Sequence, residues 1–203
     1  MIPVKPSKII CVGRNYIAHA QELGNTVPPE PMIFLKPPSA LLAPGDAIVL
    51  PGQSQQVEYE GEIGVVLLER LRNVSAAKAE KARLGFTCVN DVTARDLQKT
   101  DGQWGRAKGF DTFCPVGPAV VEGLDWRTLT VTTRLNGTVK QQGATSEMAY
   151  SIPVILAFIS SVMTLEPGDL IATGTPAGVG RLASGDAIEV EVSGVGILRN
   201  TVR

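Results

Sequence analysis

The sequence has little histidine and little cysteine, and both shortages exclude kinds of site. His19 is the only histidine among the 203 residues. Zinc sites made of several imidazoles, the HExxH helix of metalloproteases and acid/base pairs of two histidines are therefore excluded. The three cysteines, Cys11, Cys88 and Cys114, lie far apart in sequence without a CxxC spacing. Neither a disulfide framework nor a zinc knuckle is expected from them.

An excess of one charge and a long hydrophobic run are also missing. Nineteen Lys and Arg residues balance 20 Asp and Glu residues. No basic cluster occurs along the chain, which argues against a nucleic-acid or anionic-lipid surface. The longest apolar stretch, residues 152–165, is shorter than the ~20 residues that a membrane span needs. The first residues lack the apolar segment of a secretory signal, so we expect a cytoplasmic protein.

The residues that are present are typical of one strand-rich domain. A chain of this length can bury a core of its own, and we predict a single domain over residues 1–203 of the α+β class. Asn136-Gly137, between β-branched residues, predicts a hairpin because both residues tolerate positive φ. Gly-Asp pairs open predicted turn-strand units at 45–50, 168–172 and 185–190. Helices are predicted at 15–23, 75–84 and 151–164.

Alternating carboxylates precede a strongly apolar run in the segment QVEYEGEIGVV at 56–66. Side chains two apart in a strand share a face, so Glu60 and Glu62 would lie close together and repel unless something neutralises them. One interpretation is a solvated edge strand. The other is a site for a hard divalent cation, to which Asp91, at the end of a second apolar run, would contribute another oxygen.

His19 and Glu22 are spaced as neighbours on one face of the first predicted helix. A carboxylate beside an imidazole raises its basicity and fixes its tautomer, as a base that activates water requires. A simple surface pair has the same spacing. Lys108 likewise allows two interpretations. Its ammonium could stabilise an oxyanion, or its side chain could simply reach back to solvent.

The glycine-rich segment TGTPAGVG at 173–180 matches neither a Walker loop nor GxGxxG, so a nucleotide site is not expected. Its backbone N–H groups and Thr hydroxyls could instead bind a carboxylate.

Taken together in chain order, these segments resemble the fumarylacetoacetate hydrolase family. The resemblance covers nearly the whole chain, and the short members described as acylpyruvases, oxaloacetate decarboxylases or hydroxyhepta-diene-dioate isomerases are the most similar. The segments that carry it are GRNY at 13–16 with His19 and Glu22, FLKPPSAL at 34–41, EYEGEIGVV at 58–66, NDVTARDLQ at 90–98, KGFDTFCPVGP at 108–118, Gln141 to Ser146, and TGTPAGVG at 173–180.

The resemblance implies a fold, a metal site and roles for individual residues. The fold would be a mixed β-roll with a few flanking helices, forming one catalytic domain over residues 1–203 and usually a homodimer. Glu60, Glu62 and Asp91 match the family's ligands for Mg²⁺ or Mn²⁺. In a crystal, Ca²⁺ can occupy such a site instead. His19 and Glu22 match a dyad that activates water, on a segment that can close as a lid. Lys108 matches the lysine beside the substrate, and the positions that match substrate contacts are Arg14, Arg95, Gln98 and Thr175.

The implied activity is divalent-metal-dependent cleavage of a C–C bond in a short 2-oxo acid. Acylpyruvate hydrolysis and oxaloacetate decarboxylation would both proceed through a pyruvate enolate that the metal stabilises. An alternative is a 2-hydroxyhepta-2,4-diene-1,7-dioate isomerase, or a related decarboxylase, of aromatic catabolism. A non-catalytic dicarboxylate-binding module is the remaining alternative. In each case the partner is a small 2-oxo acid or dicarboxylate.

Overall fold

The structure, a computed structural model, describes residue 1 and residues 3–203. This part of the chain is rich in strands and has few helices, which confirms the predicted α+β class. The strands are β1 Ile9–Gly13, β2 Met32–Lys36, β3 Leu41–Leu42, β4 Ala47–Ile48, β5 Val57–Tyr59, β6 Gly61–Leu67, β7 Leu84–Asn90, β8 Thr93–Ala94, β9 Cys114–Glu122, β10 Thr130–Leu135, β11 Thr138–Ala144, β12 Leu170–Ala172, β13 Gly180–Arg181, β14 Ala187–Val192 and β15 Gly196–Val202. The α-helices are α1 Ile17–Glu22, α2 Ala76–Ala79, α3 Arg95–Thr100, α4 Gly105–Gly109 and α5 Ile152–Val162.

A seven-stranded mixed sheet in the order β2-β1-β12-β6-β7-β9-β3 forms the centre of the fold. All residues of β6 and β7 are buried, because both faces of the sheet are covered. The two strands pair antiparallel, with Gly61 opposite Asn90 and Leu67 opposite Leu84. This register places the start of β6 beside the end of β7, where the predicted metal ligands lie.

A second sheet has the order β11-β10-β14-β15-β4, and a third contains β13, β5 and β8. The predicted hairpin is confirmed: β10 and β11 pair around Asn136 and Gly137, which have φ of 51° and 78°. The Gly-Asp turns are also confirmed, since their glycines have φ of 88° to 92° and a short strand follows each of them.

The helices predicted over 15–23 and 151–164 are confirmed, whereas the short helices α3 and α4 were not predicted. Helix α5 begins after Ser151, carries Pro153 in its first turn and buries its apolar side against the main core. The helix predicted over 75–84 is wrong beyond its first turn, because the chain leaves α2 after Ala79 to enter the buried strand β7 at Leu84. None of the helices in the described residues is long and apolar enough to cross a membrane.

Candidate functional site

Three buried carboxylates converge where β6 and β7 lie side by side. Glu60 precedes β6, Glu62 is its second residue, and Asp91 follows the end of β7. The Asp91 N–H donates to the Glu60 carbonyl oxygen at 2.8 Å, so the strand register itself joins the two segments. One oxygen from each carboxylate lies within 4.8 Å of the others. We call Glu60, Glu62 and Asp91 the carboxylate triad.

Two buried lysines contact this triad. Lys108, from α4, donates to Glu60 Oε2 at 2.8 Å and to Asp91 Oδ2 at 2.6 Å. Lys36, the last residue of β2, donates to Asp91 Oδ1 at 2.6 Å and to the Val92 carbonyl oxygen at 3.2 Å. The sequence assigned no role to Lys36, although a lysine at the end of the apolar strand MIFLK was an available signal.

Arg95 is the third buried cation of the site. Its Nε donates to Glu58 Oε2 at 2.7 Å, and a second nitrogen donates to Glu60. Its Nη1 donates to Gln98 Oε1 at 2.6 Å. Arg95 and Gln98 both line the cavity, as expected of substrate contacts, but the guanidinium is already paired with two carboxylates of the protein. Arg95 therefore also holds Glu60 in place.

The buried acids outnumber the buried bases. We call the triad together with Glu58 the acidic cluster, and Lys36, Arg95 and Lys108 the cation set. Four carboxylates against three cations leave one negative charge, and Glu62 has no cationic partner among the described residues. Burial, followed by the charges of Asp91 and Glu60, raises the pKa of Glu62, whose Oε2 accepts a hydrogen bond from the Gly174 N–H at 2.7 Å. For Glu60, burial is outweighed by Lys108 and Arg95, which lower its pKa.

This arrangement fits a divalent cation. The donors are carboxylate oxygens, which Mg²⁺ and Mn²⁺ prefer, and they lie close enough to share one ion. A dication would also supply the positive charge that Glu62 lacks, since a buried carboxylate without a partner is costly. The residues present therefore fit a site for a divalent cation.

His19 lies in the same cavity, supported from behind by Glu22. Helix α1 carries both residues, and His19 Nδ1 lies 3.2 Å from Glu22 Oε2. The Glu22 carboxylate also accepts from the Gly178 N–H at 3.0 Å, which ties α1 to the glycine-rich segment after β12. Because Nδ1 faces Glu22, Nε2 is the ring nitrogen left for a substrate.

Thr175 belongs to a hydrogen-bond network that includes the triad strand. Its hydroxyl donates to the Gly61 carbonyl oxygen at 2.8 Å and accepts from Gln141 Nε2 at 2.7 Å. Gln141 Oε1 in turn accepts from the Gly61 N–H at 3.0 Å. Gln141, to which the sequence assigned no role, thus fixes the backbone between Glu60 and Glu62.

A single small cavity of about 70 Å³ brings these side chains together. Nine of the ten residues predicted for the site line it, and the tenth, Glu22, lies behind His19. One wall is aromatic: Phe34 and Trp104 pack edge to face with centroids 5.2 Å apart, and Lys108 Nζ lies 4.9 Å from the Phe34 ring centre. Sequence reasoning missed this wall. The nine residues are Arg14, His19, Glu60, Glu62, Asp91, Arg95, Gln98, Lys108 and Thr175.

Residues 8–203 match the family model described as fumarylacetoacetate (FAA) hydrolase C-terminal. The chain belongs to the fumarylacetoacetate hydrolase family. The resemblance seen in the sequence is thereby confirmed. That the whole chain, residues 1–203, is one catalytic domain stays a prediction, as do the homodimer and the cytoplasmic location.

Similar proteins in the family carry enzyme names. The oxaloacetate tautomerase YisK of Bacillus subtilis strain 168 is 42% identical over 98% of this chain and 70% of its own. The human mitochondrial oxaloacetate tautomerase FAHD2A is 40% identical over 98% of this chain and 67% of its own. A crystal structure of 2-hydroxyhepta-2,4-diene-1,7-dioate isomerase from Mycobacterium marinum is 48% identical, has a TM-score of 0.91, and is matched over 99% of this chain and 76% of its own. The family is thus one of enzymes that act on small oxo acids or dicarboxylates, and its strand-rich fold is shared by this chain.

Proposed function

We propose that the protein is a divalent-metal-dependent enzyme that cleaves a C–C bond in a short 2-oxo acid. The substrate would be an acylpyruvate, which is hydrolysed, or oxaloacetate, which is decarboxylated. The observation that carries the proposal is one cavity that holds both a buried carboxylate triad and the only histidine of the chain, backed by a carboxylate. The first group suits a metal, and the second suits proton transfer.

The triad residues Glu60, Glu62 and Asp91 would hold Mg²⁺ or Mn²⁺. When bound, the ion supplies a Lewis acid for the C2 oxygen of a 2-oxo acid. The buried Lys108 ammonium lies beside two of the same carboxylates, at 2.8 and 2.6 Å. It can therefore add to the positive field in which negative charge develops on the substrate.

His19 would move the proton. For an acylpyruvate, Nε2 takes a proton from water, which attacks the C4 carbonyl. The C3–C4 bond then breaks, the acyl part leaves as a carboxylic acid, and His19 returns its proton to C3 of the three-carbon fragment. Glu22 orients the ring and stabilises its charged form through the contact at Nδ1. For oxaloacetate, loss of CO₂ leaves the same three-carbon fragment, and His19 then delivers a proton to C3.

A second candidate function is proton transfer without cleavage of a C–C bond. The names of the relatives favour it, because tautomerases and a dienedioate isomerase move a proton next to a carbonyl. The same His19 and Lys108 would serve, and no water need attack. The two candidates use the same side chains and differ in the bond that breaks and in their products.

One assay separates them. Protein stripped of metal with EDTA is given Mg²⁺ or Mn²⁺ together with acetylpyruvate or oxaloacetate, and both pyruvate and the enol absorbance are followed. Metal-dependent pyruvate above the rate without enzyme supports cleavage. A metal-dependent change in enol absorbance without pyruvate supports tautomerisation. Neither signal, in protein that binds the metal, contradicts both reactions on these two substrates and leaves the dienedioate isomerase and then the binding module.

A matched pair of variants tests whether the carboxylate triad is responsible for metal binding and turnover. Glu62→Gln removes the triad carboxylate for which the described residues provide no cationic partner, and we expect it to weaken Mg²⁺ binding and abolish turnover. Glu30→Gln makes the same chemical change at an exposed position, and should leave both unchanged.

A further inference from the structure

Arg14 differs from the cation set because it has no partner among the residues that the structure describes. Each member of the cation set contacts at least one carboxylate of the acidic cluster. In the described part of the chain, the Arg14 guanidinium forms neither an ion pair nor a hydrogen bond, yet Arg14 lines the same cavity. A half-buried guanidinium facing a cavity is a ready site for an anion, since its planar fork matches a carboxylate.

The backbone of Arg14 is held in a conformation that its side chain disfavours. Its φ is 57°, in the left-handed region that residues with a Cβ rarely adopt. The next residue, Asn15, is clamped: its Nδ2 donates to the Thr173 carbonyl oxygen at 2.8 Å, and its Oδ1 accepts from the Tyr150 N–H at 2.9 Å. Such strain persists where the surroundings enforce it, and it commonly marks a functional position.

Arg14 also lies between the inner cavity and the cleft outside it. It lines the cavity that holds the carboxylate triad, and it lines the outer cleft together with Leu23 and Trp104. The outer cleft carries one further acid and base, Glu22 and Lys99, whose charges offset each other. A substrate whose 2-oxo acid end lies at the triad would therefore extend toward Arg14.

Charge balance favours a dianion in this position. The acidic cluster and the cation set together carry one negative charge. A divalent cation at the triad reverses this to one positive charge, and Arg14 makes it two. A 2-oxo dicarboxylate, with two negative charges, neutralises the site, whereas an acylpyruvate leaves one positive charge uncompensated.

We propose that Arg14 is the specificity-determining residue of the site, which selects 2-oxo dicarboxylates by binding their distal carboxylate. This inference rests on the proposed function and narrows its substrate class to dicarboxylates such as oxaloacetate. Arg14 acts on the choice of substrate, and the bond-breaking step is left to His19 and Lys108.

The test measures binding of two stable probes that differ only at the distal end. Malate and 2-hydroxybutyrate both carry a 2-hydroxy acid, but a carboxylate in the first replaces a methyl group in the second. Each is titrated calorimetrically into Mg²⁺-loaded protein. We expect the wild type to prefer malate at least tenfold, and Arg14→Gln to weaken malate binding by roughly tenfold or more while 2-hydroxybutyrate stays within about twofold. Arg14→Lys, which keeps the charge, should recover part of the preference.

The control is Arg72→Gln, which removes an exposed arginine that lines neither the inner cavity nor the outer cleft and should change neither affinity. The inference is overturned if the wild type binds no malate, if Arg14→Gln leaves the preference unchanged, or if it weakens both probes equally. Because the titration needs no turnover, a failure to make pyruvate contradicts the proposed function without touching this result. Conversely, normal turnover with an unchanged preference in Arg14→Gln contradicts only the role of Arg14.

Discussion

The Nδ1 nitrogen of His19 lies 3.2 Å from Oε2 of Glu22, and this contact joins the only histidine of the chain to a carboxylate that also accepts a backbone N–H of the glycine-rich segment. The ring is therefore held from one side, with its other nitrogen left for the cavity. Neither residue belongs to the carboxylate triad, so proton transfer and metal binding should be separable by mutation.

His19→Ala should lower turnover by roughly 10²- to 10⁴-fold, the usual contribution of a positioned acid/base, and leave Mg²⁺ affinity within about twofold. Turnover is measured as pyruvate or enol decay, and affinity by calorimetry. Gln21→Ala is the control, since Gln21 is an exposed residue of the same helix. Unchanged turnover in His19→Ala would rule out the assigned base. An equal loss of metal binding would show that the histidine supports the metal site instead.

Lys36→Met should destabilise the fold by about 3 kcal/mol. This is the lower end of the usual cost of breaking a buried ion pair, and we expect the lower end because Asp91 still has Lys108 as a partner. The Lys36 side chain is fully buried, so solvent cannot replace the lost partner of Asp91. The measurement is the free energy of unfolding from urea titration of metal-free protein. Lys78→Met, on an exposed face of α2, should cost less than about 0.5 kcal/mol. Equal effects of the two substitutions would contradict the structural role of Lys36.

The way in which the three triad carboxylates come together shows what the sequence could and could not predict. The alternation of Glu60 and Glu62 was enough to predict a shared face, because the strand period is two. That Asp91 joins them depends on the pairing of Gly61 with Asn90, a long-range register that no local pattern contains. The resemblance to a family supplied this link instead.

Other features were missed because their local signals are ambiguous. A lysine such as Lys36 at a strand end usually reaches solvent, and only the position of Asp91 shows that it is buried. The positive φ of Arg14 has no compositional signal, since the usual residue there would be glycine or asparagine. Turns that use Gly or Asn-Gly were predictable because the residue itself permits the backbone conformation.

Gly61→Ala should cost about 1–3 kcal/mol of stability, the usual cost of overpacking. A Cβ on residue 61 would lie 1.9 Å from Thr133 Oγ1, in a buried position. Thr133→Ala removes that oxygen. The double variant, Gly61→Ala with Thr133→Ala, should therefore lose less stability than the two single variants lose together. Simple additivity would contradict a direct clash. Gly52→Ala, where a Cβ meets nothing within 4 Å, is the neutral reference.

The thiols should be inert in the folded protein. Burial raises the pKa of Cys88 and of Cys114 to about 12, and that of Cys11 well above its usual value. The thiolate is the reactive form, so a disulfide reagent at pH 8 should modify almost none of them natively and all three in denaturant. Rapid native labelling of any one would show that its strand opens on the timescale of the reaction.

Asp169 should make stability depend on pH in the acid range. Burial alone would raise its pKa, but hydrogen bonds from Lys8, Ser7 and the Glu166 N–H lower it below the ordinary value. Because the folded pKa is lowered, the stabilisation is fully present above the unfolded pKa of about 4 and is lost as pH falls through the folded pKa. Asp169→Asn should therefore be less stable than the wild type at pH 7, and the gap should narrow below about pH 4.

Urea unfolding of both proteins between pH 7 and pH 3 measures this gap. Asp186→Asn at pH 7 provides a comparison, because Asp186 is also a turn carboxylate that follows a glycine. It accepts one backbone N–H, from Ala183, and the side-chain amide of Asn136, but it lacks a cationic partner among the described residues. A gap for Asp169→Asn that stays constant down to pH 3 would mean that its carboxylate is not stabilised in its charged form. The contact between Lys8 and Asp169, at the start of β12, would then not depend on the charge of the carboxylate.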